Sequence, residues 1–356
     1  MQSSISRAAW VLGLALLAIP ATAADFSETR TFSSDSLTLT HLIGEVTVSG
    51  HRGSGFEVVV HVHGADASPQ NVRLETSGDR LTVEFPDSKR FVYPNLKNDR
   101  KISFQPNNGN GGWLSSLLGS DKLEVTRDGK GLEIWADIEV RVPSGGDLRL
   151  RHGVGDIDAK GVEGDLDLDS HYGTVRVDSV DGDLMVDTGS GDVSIAEVNG
   201  ELNVDTGSGD VEIRGAQTTE VVIDTGSGDV TLSGIVSSGD VSVDTGSGDV
   251  EASEIRAEGV VIDTGSGDVR LHLTEMGRGD VDIDTGSGGI QLGLPAGANC
   301  RVQAETGSGG VSVDLSGVKD LRKDEDDDEV AFTLGDGGAS VRLDAGSGQI
   351  RIHETR

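Results

Sequence analysis

Carboxylates are the reactive groups this sequence offers in quantity, and many of them sit in one repeated phrase. Asp-Thr-Gly-Ser-Gly-Asp-Val begins at Asp187, Asp205, Asp224, Asp244 and Asp263, with variants at Asp284, Glu305 and Asp344. Two chemistries use such residues. Asp-Thr-Gly behind an apolar residue, as in Ile223-Asp224-Thr225-Gly226, resembles the active-site phrase of aspartic proteases, where two carboxylates share one proton. Here the copies follow one another along the chain and nothing singles out a pair, so proteolysis is set aside. Aspartates interleaved with glycine also hold calcium between the turns of β-rolls. That reading makes Asp187, Asp192, Asp205, Asp210, Asp224, Asp229, Asp244, Asp249, Asp263 and Asp268 candidate Ca2+ ligands. The β-roll spacing differs, because Asp here directly follows the second Gly. The competing reading is that each Asp accepts backbone N–H bonds within its own turn. No cofactor is required on that reading.

The elements that must position these carboxylates follow from the spacing. Copies start 18, 19, 20, 19, 21 and 21 residues apart, then 39. A period near 20 marks a solenoid, whose single coil cannot bury its own apolar face. Within one coil, Leu184 and Val186 alternate with Met185 and Asp187, the turn Thr188-Gly189-Ser190-Gly191 follows, and Val193 and Ile195 alternate with Asp192 and Ser194. Period-two alternation between glycine clusters reads as two short strands. Aligned in chain order, the copies give aliphatic ladders such as Leu184, Leu202, Val221, Val241, Val260, Val281, Val302 and Val341. The positions between them vary freely, so one set faces a core and the other faces water. Thr188, Thr206, Thr225, Thr245, Thr264, Thr285 and Thr306 form a rank of their own, read as a feature of the turn. Degenerate copies precede the series at Arg151–Ile157 and Asp169–Val175, with a faint one at Thr40–Val46. About ten coils from Arg151 onward would stack to a rod of roughly 45–50 Å at ~4.8 Å per coil.

The fold class predicted is therefore all-β: a right-handed parallel β-solenoid over residues 144–356, about 18–21 residues per coil, with an irregular β region at 24–143. In that region Phe56–His63, Val72–Phe85 and Leu132–Val142 read as longer strands. An insertion at 86–121 carries Lys89, Arg90, Lys97, Arg100 and Lys101, then the apolar cluster Trp113, Leu114, Leu117 and Leu118. That cluster is expected to cap an open end of the rod or bind a partner, a second copy of the chain included. A strongly acidic insertion, 319–329, accounts for the 39-residue gap. His61 and His63 flank Val62, with His41 and His51 upstream; these read as surface histidines, not as a metal site of three convergent ligands.

Composition bounds the function. Residues 1–23 read as a signal peptide, with an apolar run from Ala8 to Ile19 before Ala21-Thr22-Ala23, which points to a soluble periplasmic or extracellular chain with no transmembrane segment. Cys300 is the only cysteine, so no internal disulfide can form. A net charge of −32 argues against nucleic acid as a partner and for an envelope protein or a glycan. Residues 184–315 hold 24 Asp and Glu against five Arg and no Lys.

Ile138-Glu139-Val140-Arg141-Val142-Pro143-Ser144-Gly145-Gly146-Asp147-Leu148, followed by Gly-Asp-Ile and Gly-Asp-Val coils, resembles the bacterial DUF4097-like putative adhesin family. The resemblance covers most of the mature chain. It implies a β-solenoid at the cell envelope and carries over no catalytic residues. The expected function is a non-enzymatic envelope or secreted scaffold that binds through repeated β coils. A calcium-stiffened spacer is the second reading. A glycan-active β-helix enzyme is the third, and would need a break in the repeat that sets acids beside bases.

Overall fold

A computed structural model describes residues 25–97, 101–104 and 122–355, and every regular element among them is a β-strand. Two parallel ladders run along the rod. The first passes through Leu166–Tyr172, Leu184–Thr188, Gln217–Thr225, Val241–Thr245, Val260–Thr264 and Val281–Thr285. The long strand Val193–Thr206 belongs to both ladders, its first half to the second and its last residues to the first. The second continues through Val211–Arg214, Val230–Ser233, Val250–Ile255, Val269–Leu273 and Ile290–Leu294. A third, shorter side is closed by Val162, Val180 and Val198, which pair in register, and then by buried Ala216, Ile235 and Ile255.

The register holds because a one-residue slip would turn every aliphatic side chain outward. Leu184, Leu202, Val221, Val241, Val260 and Val281 stack on one another, each at most 4% exposed. The same alternation sends the threonines of the repeat inward. Thr188, Thr206, Thr225, Thr245, Thr264, Thr285 and Thr306 are all buried, so the rank read as a turn feature lines the core at the corner. Later members bond across coils: the Thr264, Thr285 and Thr306 hydroxyls donate to the Gly248, Gly267 and Gly348 carbonyls at 3.1, 2.9 and 2.8 Å. The second glycine of the phrase permits this packing. A Cβ on Gly228 would lie 2.0 Å from the Gly209 carbonyl oxygen, and its φ is +155°.

Both ends depart from simple stacking. Ser36–Ile43 pairs with Asp147–Val154, and Val46–His51 lies between Trp135–Pro143 and Ile157–Glu163. Residues 36–51 are thus a full coil, and the faint copy is in register: Thr40 opposite Arg151, His41 opposite His152, Val46 opposite Ile157. Antiparallel strands finish this end, Phe26–Phe32 and Phe56–His63 on one side and the Arg73–Ser77/Arg80–Glu84 hairpin on the other. The single strand expected over Val72–Phe85 is this hairpin instead, turned at Gly78 with φ +63°. A separate four-stranded sheet, Arg90–Val92, Lys101–Phe104, Leu123–Thr126 and Leu132–Glu133, flanks it.

At the other end, chain order and stacking order differ. Ala339–Ala345 lies between Val281–Thr285 and Cys300–Thr306, and Ile350–Glu354 lies between Ile290–Leu294 and Val311–Asp314. The final coil of the chain is therefore the penultimate one of the stack. The acidic insertion explains why. Lys319–Lys323 and Glu329–Thr333 form a hairpin antiparallel to Cys300–Thr306, which covers the outer edge of that coil and leaves only its inner edge for the chain to return to. Charged strands at both ends protect edges that would otherwise template further pairing.

Candidate functional site

The ten candidate aspartates fall into two rows with different employment. In the first row Asp187, Asp205, Asp224, Asp244, Asp263 and Asp284 stand in register on successive coils. They are exposed. Among the described residues the carboxylates of Asp205, Asp224, Asp244 and Asp263 have neither a hydrogen-bond donor nor a cation partner. Partial burial, and then the neighbouring carboxylates, push the Asp205, Asp224 and Asp284 carboxyls above the usual range. Asp187 is pushed up by burial, against the pull of Arg151.

In the second row each carboxylate is tied to the fold. Asp192 Oδ1 accepts the Asp210 N–H at 3.2 Å, Asp210 that of Asp229 at 3.0 Å, and Asp229 that of Asp249 at 2.8 Å. Asp249 accepts from Asp268 at 2.8 Å, and Asp268 from Gly289 at 2.9 Å. The bonds therefore run to the following coil, not to the turn of the same coil. Each rung supplies a charged acceptor to a backbone N–H at the corner, where the parallel ladder has been interrupted.

The second row begins at Asp156, and there the repeat breaks. Thr174 stands where the next Asp would be, and its N–H donates to Asp156 Oδ1 at 3.2 Å. Asp156 Oδ2 takes Lys97 Nζ at 2.6 Å and Arg176 Nη1 at 3.3 Å. Burial pushes the Asp156 carboxyl up, but Lys97, the Thr174 N–H and Arg176 together outweigh it and hold the group below its ordinary value. Lys97 is raised in turn, mainly by its hydrogen bond to Asp156. The segment carrying Lys97 is pinned over the corner: the Tyr93 N–H donates to the Thr126 carbonyl at 2.8 Å, and Arg127 Nε to the Leu96 carbonyl at 2.7 Å. Between it and the coils lies a cleft of about 190 Å3, lined in part by Glu45, Tyr93, Tyr172 and Asp192. Burial raises the Tyr93 phenol, with the nearby Asp137, Glu45 and Asp156 adding to it.

Beneath the cleft, His41 and His152 stack at 5.0 Å with their Nδ1 atoms 3.0 Å apart. Both are fully buried, so His41 is not the surface histidine expected. At 3.0 Å one Nδ1 must donate and the other accept, which requires at least one neutral ring. Burial pushes His152 down to about 4, and burial together with His152 pushes His41 well below its ordinary value.

The model of the Toastrack DUF4097 family matches residues 45–353. The chain belongs to the Toastrack DUF4097 family. Two solved structures resemble this Toastrack chain. One, titled a putative adhesin from Bacteroides fragilis, is 14% identical, with 93% of this chain and 98% of that one covered and a TM-score of 0.37. The other, titled a putative adhesin from Parabacteroides distasonis, is 12% identical, with 92% and 97% covered and a TM-score of 0.38. Among curated proteins none matches.

The Toastrack match begins in the turn before Val46–His51, so the repeat frame reaches back into the first complete coil. Other expected groups are dispersed. His63 pairs with Asp25 at 3.1 Å, and His61 meets Ser27 Oγ at 2.7 Å. Among the described residues no three His, Cys, Asp or Glu converge into a metal-ligand group. The signal peptide 1–23, Arg100 and the cluster Trp113, Leu114, Leu117 and Leu118 lie outside the described residues. The Lys97–Asp156–Arg176 cluster and the His41–His152 pair were missed. Thr174, sitting in an Asp frame, was the available signal for the first. Alignment of Thr40-His41 on Arg151-His152 was the signal for the second.

Proposed function

We propose that this Toastrack protein is an exported, non-enzymatic scaffold of the cell envelope or extracellular space, which binds other molecules through its long outer faces. The observation that carries this reading is the contrast between the two aspartate rows. The second row is consumed in holding coils together. The first row repeats on the same rod without a structural task, and its carboxylates repel one another. Such a row has affinity to spare for a cationic group on an envelope protein or on a glycan. Net charge of −32 speaks against nucleic acid. No helix of the described residues is long and apolar enough to cross a membrane.

The catalytic alternative would use a break in the repeat that sets an acid beside bases, as at Asp156. There the Asp156 oxygens are already engaged by Lys97, Arg176 and Thr174, which makes it a fixed anion and a poor proton acceptor. The cleft, at about 190 Å3, is also smaller than the roughly 300 Å3 at which ligand pockets begin. The test is a glycan and envelope-protein binding screen of the mature chain beside an Asp224→Asn/Asp244→Asn/Asp263→Asn variant. A partner held by the wild type and released by the variant, with binding that weakens as salt rises, is the expected result. Equal binding by both proteins would remove the face from the reading.

A calcium-stiffened spacer is the second reading, favoured by the same unpaired row. Calcium would then go to Asp187, Asp205, Asp224, Asp244 and Asp263, not to the tied carboxylates. Each ion would sit between neighbouring coils and complete its shell with water. An unchanged melting temperature between millimolar calcium and EDTA would end that reading.

A further inference from the structure

The outward row of the second ladder changes character near the end of the rod. Its register there runs His272, Gly293, His353, Asp314. Gly293 does not have a left-handed φ, so its backbone makes no demand for glycine. Its surroundings do. A Cβ there would lie 2.8 Å from His272 Cδ2 and 2.8 Å from Thr355 Oγ1. With no side chain between them, two histidines about 9.6 Å apart along the stack, two rungs of ~4.8 Å, lean together over the glycine. Their ring centroids are 5.4 Å apart and their planes cross at 84°. Gly293 is buried beneath them although its position faces outward.

Three polar atoms of the side chains around Gly293, His272 Nε2, His353 Nδ1 and Thr355 Oγ1, are buried without a hydrogen-bond partner among the described residues. Native folds rarely leave such atoms unpaired. The neighbouring cations are engaged elsewhere, Arg270 with Asp268 at 3.0 Å and Arg351 with Gln349 Oε1 at 3.1 Å. Asp314 stands one rung beyond His353 and adds negative potential.

We propose that His272 and His353 bind a divalent transition-metal ion of the zinc or copper class, with Thr355 and water completing its shell. Imidazole suits these borderline ions and not calcium or magnesium, which seek oxygen. The position gives the ion a structural task. Ile350–Glu354 is the strand that returns out of chain order, and the metal would tie it across Ile290–Leu294 to Val269–Leu273.

The test uses the tag-free mature chain, stripped with chelator and titrated with zinc chloride by calorimetry. One zinc equivalent is expected to bind, about tenfold or more weaker in His272→Gln and in His353→Gln, and unaffected in His61→Gln/His63→Gln. The site should also weaken as pH falls and the imidazoles protonate. Zinc binding that survives unchanged in the His272→Gln/His353→Gln double variant would overturn the proposal, as would no binding at all, which would leave a trapped water as the partner of these atoms. Copper(II) electron paramagnetic resonance of the unmutated chain gives a readout independent of variant folding. Nitrogen superhyperfine structure from two imidazoles is expected, and an all-oxygen spectrum would refute the site.

Discussion

Removing one aspartate charge from each row should separate repulsion between coils from bonding between them. Asp224 faces Asp205 and Asp244 in register on the coils to either side, with no compensating donor among the described residues. At ~4.8 Å, two unit charges repel by about 1 kcal/mol in water and about 3 at an effective dielectric of 20. The row is exposed, so the lower figure applies to each neighbour. Asp224→Asn should therefore stabilise the rod by about 1–2 kcal/mol at low ionic strength, and most of that gain should vanish in 1 M salt. Asp229 is the contrasting case, since its Oδ1 accepts the Asp249 N–H at 2.8 Å. Its row carries the same repulsion, so the bond is isolated by comparing Asp229→Ala with Asp229→Asn, which also loses the charge but keeps the acceptor; Asp229→Ala should be about 1 kcal/mol less stable than Asp229→Asn. For a chain of this size each kcal/mol corresponds to a melting shift of about 1–2 °C, measurable by calorimetry at pH 7 in 20 mM and 1 M sodium chloride. A loss of stability in Asp224→Asn would refute the reasoning, because it would mean that the first row is already neutralised by a bound cation.

Other consequences follow from the same geometry. His41 and His152 are bases whose folded pKa values lie below the unfolded one, so their contribution is complete above pH ~6.5 and is lost on acidification, for His152 as pH falls toward about 4; urea unfolding should show wild-type stability declining in that window by up to about 1.4 kcal/mol per pH unit from His152, with a shallower slope in His152→Leu. The first aspartate row has the opposite sign, since raised carboxyl pKa values make protonation favour the folded state; Asp205→Asn/Asp224→Asn should reduce the gain seen on acidification in the carboxyl range. Gly228→Ala, whose Cβ would lie 2.0 Å from the Gly209 oxygen at φ +155°, should destabilise by at least ~2 kcal/mol, whereas Gly145→Ala, with nothing within 4 Å and φ +75°, should cost about 1. Deleting the hairpin 319–333 would bare the outer edge of Cys300–Thr306, and light scattering should then report end-to-end association.

The middle of the rod was legible because one constraint acts there repeatedly. Leu184, Val186, Val193 and Ile195 recur at the same offsets, and each recurrence restates the same inward direction. The ends obey a different constraint, the need to close open edges, and that need acts only once at each end. Nothing local in Val302 or Val341 shows that the later residue stacks before the earlier one; the order is set by the hairpin that occupies the far side of Cys300–Thr306. The break at Val72–Phe85 was visible as Ser77-Gly78-Asp79, a turn signal passed over because the flanking alternation looked continuous. The aspartates were found by type and spacing but not sorted by task. Period-two alternation gives the face of a side chain, and both rows face outward. Which carboxylate meets a backbone N–H depends on how the corner offsets one coil from the next.

That sorting bears on why the phrase is so uniform. Thr is held by the core, the second Gly by the approach of the neighbouring carbonyl, and the second Asp by its rung to the next coil. The first Asp has no such hold, and substituting it should cost the fold nothing by the reasoning above. Yet it recurs at Asp187, Asp205, Asp224, Asp244, Asp263, Asp284 and Asp344, against mutual repulsion. The adjacent outward positions, Met185, Asn203, Val222, Ser242, Val261 and Asp282, show what the same ladder accepts when nothing constrains it. A residue repeated at a cost to stability, beside a position free to vary, is the pattern expected of a surface kept for binding and not for folding.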